Sequence, residues 1–206
     1  MEFNGFTKED FDVFTIAGLD NRMEALIQNV RPKLDFLGSY YAPRLSELAG
    51  EEIFAHVAKH ARRTKNPPND TWVAFASNPR GYKMLPHFQI GLWETHLFIW
   101  FAVIYECNQK PQIGENFLKH LNQIHQTIPA SYVWSEDHMK PGASEHGSLS
   151  KEDLQASFQR LKDVKKAEIL CGCHLDRDIV IQMGPSELLR SIDDVFRKIL
   201  PLYKLS

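Results

Sequence analysis

No stretch of about 18 uncharged apolar residues occurs in this 206-residue chain, so no membrane-spanning helix is expected. Its densest apolar run, Leu97–Tyr105, is nine residues long, a length that suits a buried strand. The opening residues MEFNGFTKEDF lack the basic and apolar regions of a secretory signal, and none is expected. Cysteine is scarce and odd in number, with three residues, which fits a reducing cytoplasm better than a disulfide framework. Excess charge is absent too. Twenty-four basic against 26 acidic residues give a formal charge of −2, which argues against general attraction to nucleic acid or membranes and leaves room only for a local patch. Neither GxSxG, a Walker A loop, GxGxxG followed by an acid, nor HExxH is present. Internal repeats and low-complexity tracts are missing as well. Asn69-Asp70-Thr71 matches a glycosylation acceptor, a chance match in a cytoplasmic protein.

What the chain does have is ordinary soluble composition, 43% hydrophobic and 24% charged. A single domain over residues 1–206 is expected to bury roughly 70% of its unfolded surface and to need no covalent or metal staple. The β-branched and aromatic residues concentrate in Thr71–Glu106, which holds three of the four tryptophans. This stretch predicts three strands near 71–77, 86–93 and 96–106. Their connections are too short for the crossover that parallel pairing requires, so the strands are antiparallel.

Around them the pattern is helical. Thr7-Lys8-Glu9-Asp10 is a capping signal. Apolar spacing continues through Leu19–Val30, is kinked or restarted at Pro32, and runs to a stop at Gly50. Residues 51–63 predict a further helix with Ile53, Phe54, Val57, Ala58 and Ala61 inward. Beyond the strands come a helix over 115–128, a short strand at 132–134, a polar loop over 135–150, and a helix from Ser150 to Val164. A strand over 167–175, a short return strand at 179–183 and a last helix from 185 complete the chain. The fold class is α+β: a mainly antiparallel sheet centred on residues 71–106 with helices packed on it, a helical layer in 1–63, and mixed elements in 107–206.

If the second and third strands turn at Glu94-Thr95, Gly91 faces Phe98 and Gln89 faces Trp100. Pairing across the first connection sets Ala74 opposite Gln89 and Trp72 opposite Gly91. Alternation then makes one sheet face uniformly apolar, from Val73 and Phe75 through Phe101 and Val103 to Tyr105, and this face is core. The other carries Trp72, His87, Gln89, Trp93, His96 and Trp100 among Gly91 and three alanines. A helix over the small residues is the ordinary arrangement. An aromatic hollow with a few polar groups is the arrangement a small-molecule site requires.

Arg62, Arg63, Arg80 and Lys83 lie among six cations between residues 59 and 83, where Asp70 is the single acid. They form either a solvated surface or the anion-binding rim of that hollow. Metal sites are not expected. His56 and His60 have helical ligand spacing but lack the glutamate of a zinc helix, and Cys171-Gly172-Cys173-His174 has no second pair. The cysteines read as buried strand residues.

The segments HVAKHARRTKNPP (56–68), TWVAFA (71–76), GYKMLPHFQIGLWETH (81–96) and KKAEILCG (165–172) resemble the YktB-like family of soluble bacterial proteins. The resemblance runs through nearly the whole chain. It implies an antiparallel α+β topology shared loosely with class II synthetases and biotin ligases. It carries over no catalytic residue, and the class II signature motif is absent. Cofactors and oligomeric state are left open. The best functional expectation is a binding module for a small anionic or aromatic ligand, seated on Trp72, Gln89 and Trp100 and flanked by the four cations. An enzyme using His87 or His96 as general base is the alternative. An RNA- or protein-binding module using the basic rim is a third.

Overall fold

Seven strands form one antiparallel sheet in the computed structural model, which describes residues 3–206. The chain begins with α1 (Lys8–Asp12), whose capping box at Thr7 matches the sequence signal, and α2 (Leu19–Ala25). A π-turn, Leu26–Val30, joins α2 to α3 (Arg31–Ala49). Pro32 follows that turn in the first turn of α3, where its missing N–H costs little. Gly50 ends α3 in the left-handed conformation, with φ of 82°.

The next segment departs from expectation. Residues 51–63 are not a helix. They form edge strand β1 (Phe54–Val57) and then a loop. Phe54–Val57 pairs along β2 (Asp70–Ala76), and the Ala58 N–H still reaches the Trp72 carbonyl at 2.9 Å. An available sheet edge outweighs helical periodicity here, and His60, at φ of 52°, is incompatible with a helix. His56 and His60 therefore do not share a helix face. His56 bonds to the Asn78 carbonyl at 2.9 Å and His60 to Thr71 Oγ1 at 3.1 Å, both structural contacts.

The central strands follow the sequence reading closely. β2 pairs with β3 (His87–Trp93), and β3 with β4 (His96–Val103). The registers are those expected: Trp72 with Gly91, Ala74 with Gln89, Gly91 with Phe98, and Gln89 with Trp100. β4 ends at Val103, however, and Tyr105 is 49% exposed, outside the core assigned to it.

α4 (Lys110–Lys119) starts earlier than expected, because Pro111 stands in its first turn instead of breaking it. His120 separates it from α5 (Leu121–Thr127). β5 (Val133–Ser135) and the two-residue β6 (Ser144–Glu145) flank residues 136–143, and a 3-10 turn follows at His146–Ser148, so the loop expected over 135–150 is only partly irregular. α6 (Lys151–Asp163) is capped by Ser150 as its sequence predicts. β7 (Ile169–Asp176) lies between β4 and β5, giving the order β1-β2-β3-β4-β7-β5-β6. The expected return strand at 179–183 is instead α7 (Arg177–Gln182), because Asp176 accepts the Asp178 N–H at 2.8 Å and caps a helix start. α8 (Pro185–Lys204) closes the chain.

Core packing is one-sided. α8 sets Leu188, Ile192, Phe196 and Ile199 against the first sheet face at helical spacing. Phe196 meets Phe75 and Phe88 with ring centroids 6.0 and 5.5 Å away. Each such fully buried ring contributes roughly 1.5–3 kcal/mol. On the second face the apolar cluster comprises Phe98, Trp100, Ala102, Ile104, Val133 and Leu170, with Trp72 and Trp93 at its edge. Its members all come from the sheet or the residue just past β4. No helix packs there among the described residues, contrary to the ordinary expectation. Loops fold over this face instead, and they leave a cavity.

Candidate functional site

The cavity has a volume of about 190 Å³. Trp72, Gln89, Trp93, Phe98 and Trp100 bring it the second faces of β2, β3 and β4. Strand alternation places these side chains on one side, and the register sets them beside each other. The room does not come from Gly91. A Cβ there would lie 2.3 Å from Phe98 Cζ and 2.6 Å from Trp72 Cβ, so neighbouring side chains already occupy that space. It comes from the distance between the sheet and two loops. One is the β2–β3 connection, held by a hydrogen bond of 2.9 Å from Trp72 Nε1–H to the Tyr82 hydroxyl. The other is the start of the 135–150 loop, which brings Asp137, His138 and Lys140 to the rim.

Gln89 is oriented from below. His87 is fully buried, and its Nδ1 lies 2.8 Å from the Leu85 carbonyl. A carbonyl only accepts, so Nδ1 carries the proton and Nε2 is the lone pair. Gln89 Nε2 must then donate to His87 Nε2, at 2.8 Å. Burial holds His87 neutral, down to about 4, which keeps this arrangement across ordinary pH. The Gln89 amide oxygen is left for the cavity. His87 itself does not line it and has no free nitrogen; it is a positioning residue.

Asp70 is the group that composition alone undervalues. It is 7% exposed and lines the cavity, and also a shallower depression beside it that shares Arg63 and Trp93. Its oxygens open on the cavity and accept no hydrogen bond from another described residue. Burial pushes its carboxyl up to about 6, against the opposing charges of Arg63 and His138. Arg63 does not bond to it; that guanidinium donates to the carbonyls of Asn66 and Pro67 at 3.3 and 3.4 Å. Buried Arg22 fixes this loop from behind, donating to the Pro68 carbonyl at 2.9 Å.

Across the cavity, Glu168 anchors the opposite loop. Its carboxylate accepts from the Tyr105 N–H at 3.1 Å, the His138 N–H at 2.9 Å and His138 Nδ1 at 2.8 Å. Burial raises this carboxyl, and the hydrogen bonds and charge of His138 outweigh it, so the group sits below its usual range. His138 is thus held with Nδ1–H toward Glu168, and its Nε2 makes no hydrogen bond to another described residue. Asp137, His138 and Glu168 offer oxygen and nitrogen atoms within 4.8 Å of one another, the one such group among the described residues. The sequence reading expected no metal site and did not single these residues out.

Not all the expected site residues meet. Trp72, Gln89, Trp93, Trp100, Arg63 and Lys83 line the cavity. Arg62 and Arg80 lie in an adjoining groove of about 1100 Å³, which shares Arg63, Trp72, Tyr82 and Lys83 with it. Five cations and a single acid, Glu106, line that groove, so it is electropositive. Glu106 pairs with Lys83 at 3.2 Å. His96 lies elsewhere: its ring stacks on His174 at 3.9 Å, its Nδ1 meets Thr95 Oγ1 at 2.8 Å, and burial holds it down to about 4. Asp70 was visible in the sequence as the lone acid among cations. The Glu168–His138 pair, 30 residues apart, had no sequence signal beyond the length of the polar loop.

This α+β fold with an aromatic cavity belongs to a family known by its sequence. A family model described as "Domain of unknown function (DUF1054)" matches residues 6–203, and the chain belongs to that family, the YktB-like group that its motifs resemble. The UPF0637 protein of Bacillus velezensis is 56% identical over 201 residues, covering 98% of this chain and 96% of that one. The UPF0637 protein of Bacillus licheniformis is 55% identical, with 98% and 95% covered. That of Bacillus mycoides is 52% identical over 205 residues, with 100% and 99% covered. Among solved structures, a conserved hypothetical protein from Pyrococcus furiosus aligns with 91% of this chain and all of its own. Its identity is 13% and the TM-score 0.43, too distant to carry an argument.

Proposed function

We propose that this protein binds a small aromatic ligand in the cavity on the second sheet face, with an anionic substituent directed to the electropositive groove. One observation carries the reading: three tryptophans and Phe98 enclose a space of about 190 Å³ that no helix of the described residues fills. A cavity of about 150 Å³ accommodates benzene, so this one suits a single substituted ring. Cations at the shared boundary, Arg63 and Lys83, suit an anionic group at the mouth. Three of the chain's four tryptophans line the space, so occupancy changes intrinsic fluorescence. Titration with benzoate and phenyl phosphate is expected to quench that fluorescence and raise the melting temperature, and Trp100→Ala to remove both effects. No response to either aromatic anion at millimolar concentration, with the protein folded, refutes the reading.

A second reading, an enzyme on the same cavity, is supported by the Glu168–His138 pair. Acid–base chemistry there falls to His138 Nε2 instead of His87 or His96, whose rings do not line the cavity. In that case His138→Gln loses turnover while binding of the same ligand survives. Equal loss of turnover in His96→Gln and not in His138→Gln refutes it.

A further inference from the structure

The proposed ligand site has one polar feature that an aromatic anion leaves unanswered. Asp70 is a buried carboxyl facing the cavity, and no other described residue donates a hydrogen bond to it. Its oxygens open on the cavity instead of being sealed off, so a donor carried in by a ligand can reach them. Arg63 is near enough to influence it, yet the hydrogen bonds of its guanidinium, both from Nη1, go to the loop carbonyls. Gln89, with its N–H turned toward His87, presents a second acceptor, the amide oxygen.

These acceptors mark the two ends of the cavity. Asp70 and Ala74 are on the same face of β2, and Ala74 is opposite Gln89. Four residues of strand separate the two backbones by about 13 Å, and two side chains reaching inward shorten the gap to the span of a substituted ring. Trp72 lies midway along that line, on the same face.

Resting on the cavity reading above, we infer that the ring bound here is an aminopyrimidine, donating from its exocyclic amine to Asp70 while its plane lies among Trp72, Trp93 and Trp100. An amine beside a ring nitrogen pairs with a neutral carboxyl in a two-bond fork, its N–H donating to the carbonyl oxygen and the carboxyl O–H donating to the ring nitrogen, which a carbocyclic anion does not, so the binding test is run near pH 5. The volume admits one six-membered ring with substituents and is small for a fused bicycle.

The test compares 2-aminopyrimidine with pyrimidine, and both with benzoate, by calorimetry and tryptophan quenching on the full chain. Wild-type protein is expected to bind 2-aminopyrimidine at least roughly tenfold more tightly than pyrimidine, since a site built to hydrogen-bond a donor rejects the analogue lacking it. Asp70→Leu, which keeps the size of the side chain and removes both its acceptor and its donor, is expected to abolish that preference while leaving benzoate affinity within about twofold, on the same principle. Asp70→Ala is the second variant, should the first fold poorly. Equal affinity for the two pyrimidines, or a preference that survives in both variants, overturns the inference, and the cavity then holds water or another ligand at Asp70. If benzoate binds in that case, the aromatic-site reading stands alone; if no ring compound binds, both fall.

Discussion

Replacing Asp70 by asparagine is expected to stabilise the ligand-free protein at neutral pH, and the size of the gain follows from the carboxyl's surroundings. Burial moves it from 3.8 to about 6. At about 1.4 kcal/mol per pH unit, ionising it in the fold costs about 3 kcal/mol once the pH is well above 6. The asparagine amide is buried in the same place without new partners, which gives back about 1 kcal/mol. A net gain of about 1–2 kcal/mol is expected. The sign with pH is definite. A carboxyl raised in the fold contributes stability fully present below its unfolded value near 3.8 and lost as pH rises through about 6. The advantage of Asp70→Asn is therefore absent near pH 4, opens between there and pH 6, and is constant above. The charged groups around the site are Arg63, Lys83, Asp137, His138 and Lys140, and they are common to both proteins. Urea unfolding of the two proteins at a series of pH values measures the difference. A variant less stable than wild type at pH 7.5, or a gap that ignores pH, refutes the account of Asp70 as a desolvated, unpartnered acid.

Other consequences are as direct. His87 is expected to remain neutral, with its proton on Nδ1, from pH 8 down to about 5, since burial holds it to about 4; nitrogen NMR shifts of the ring report this, and titration near 6.5 contradicts it. Glu168→Gln is expected to cost about 1–3 kcal/mol at neutral pH by weakening the bonds to Tyr105 and His138. Because that carboxyl is lowered in the fold, the loss shrinks as pH falls below its ordinary 4.5, and amide hydrogen exchange across residues 136–143 is expected to speed up; unchanged stability and exchange count against its anchoring role. Gly172→Ala brings a Cβ to 1.8 Å from the Ile99 carbonyl oxygen in the adjacent strand, so β4 and β7 must separate. Loss of cooperative folding is expected, and a normal thermal melt refutes that register.

The antiparallel centre of the fold was legible in the residues alone. Strand alternation in residues 71–106 separates apolar from mixed positions, the Glu94-Thr95 turn sets the register, and both are local facts that need no distant partner. The family, too, was legible in contiguous motifs. Where a segment's partner lay far away, local patterns misled. Residues 54–57 carry helical periodicity and are drawn into a strand by the free edge of β2; residues 179–182, expected as a strand, are a helix for a nearer reason, the cap that Asp176 supplies. The same limit governed the site. Trp72, Gln89, Trp93 and Trp100 could be placed on one face from alternation alone, but not the cavity over them. That required knowing that every packed helix lies on the opposite face, while Glu168 fastens the polar loop across this one. Asp70 was visible as an acid among cations. Its lack of a partner was not, because burial and hydrogen bonding are set by what folds around a residue, and only the tertiary structure decided that.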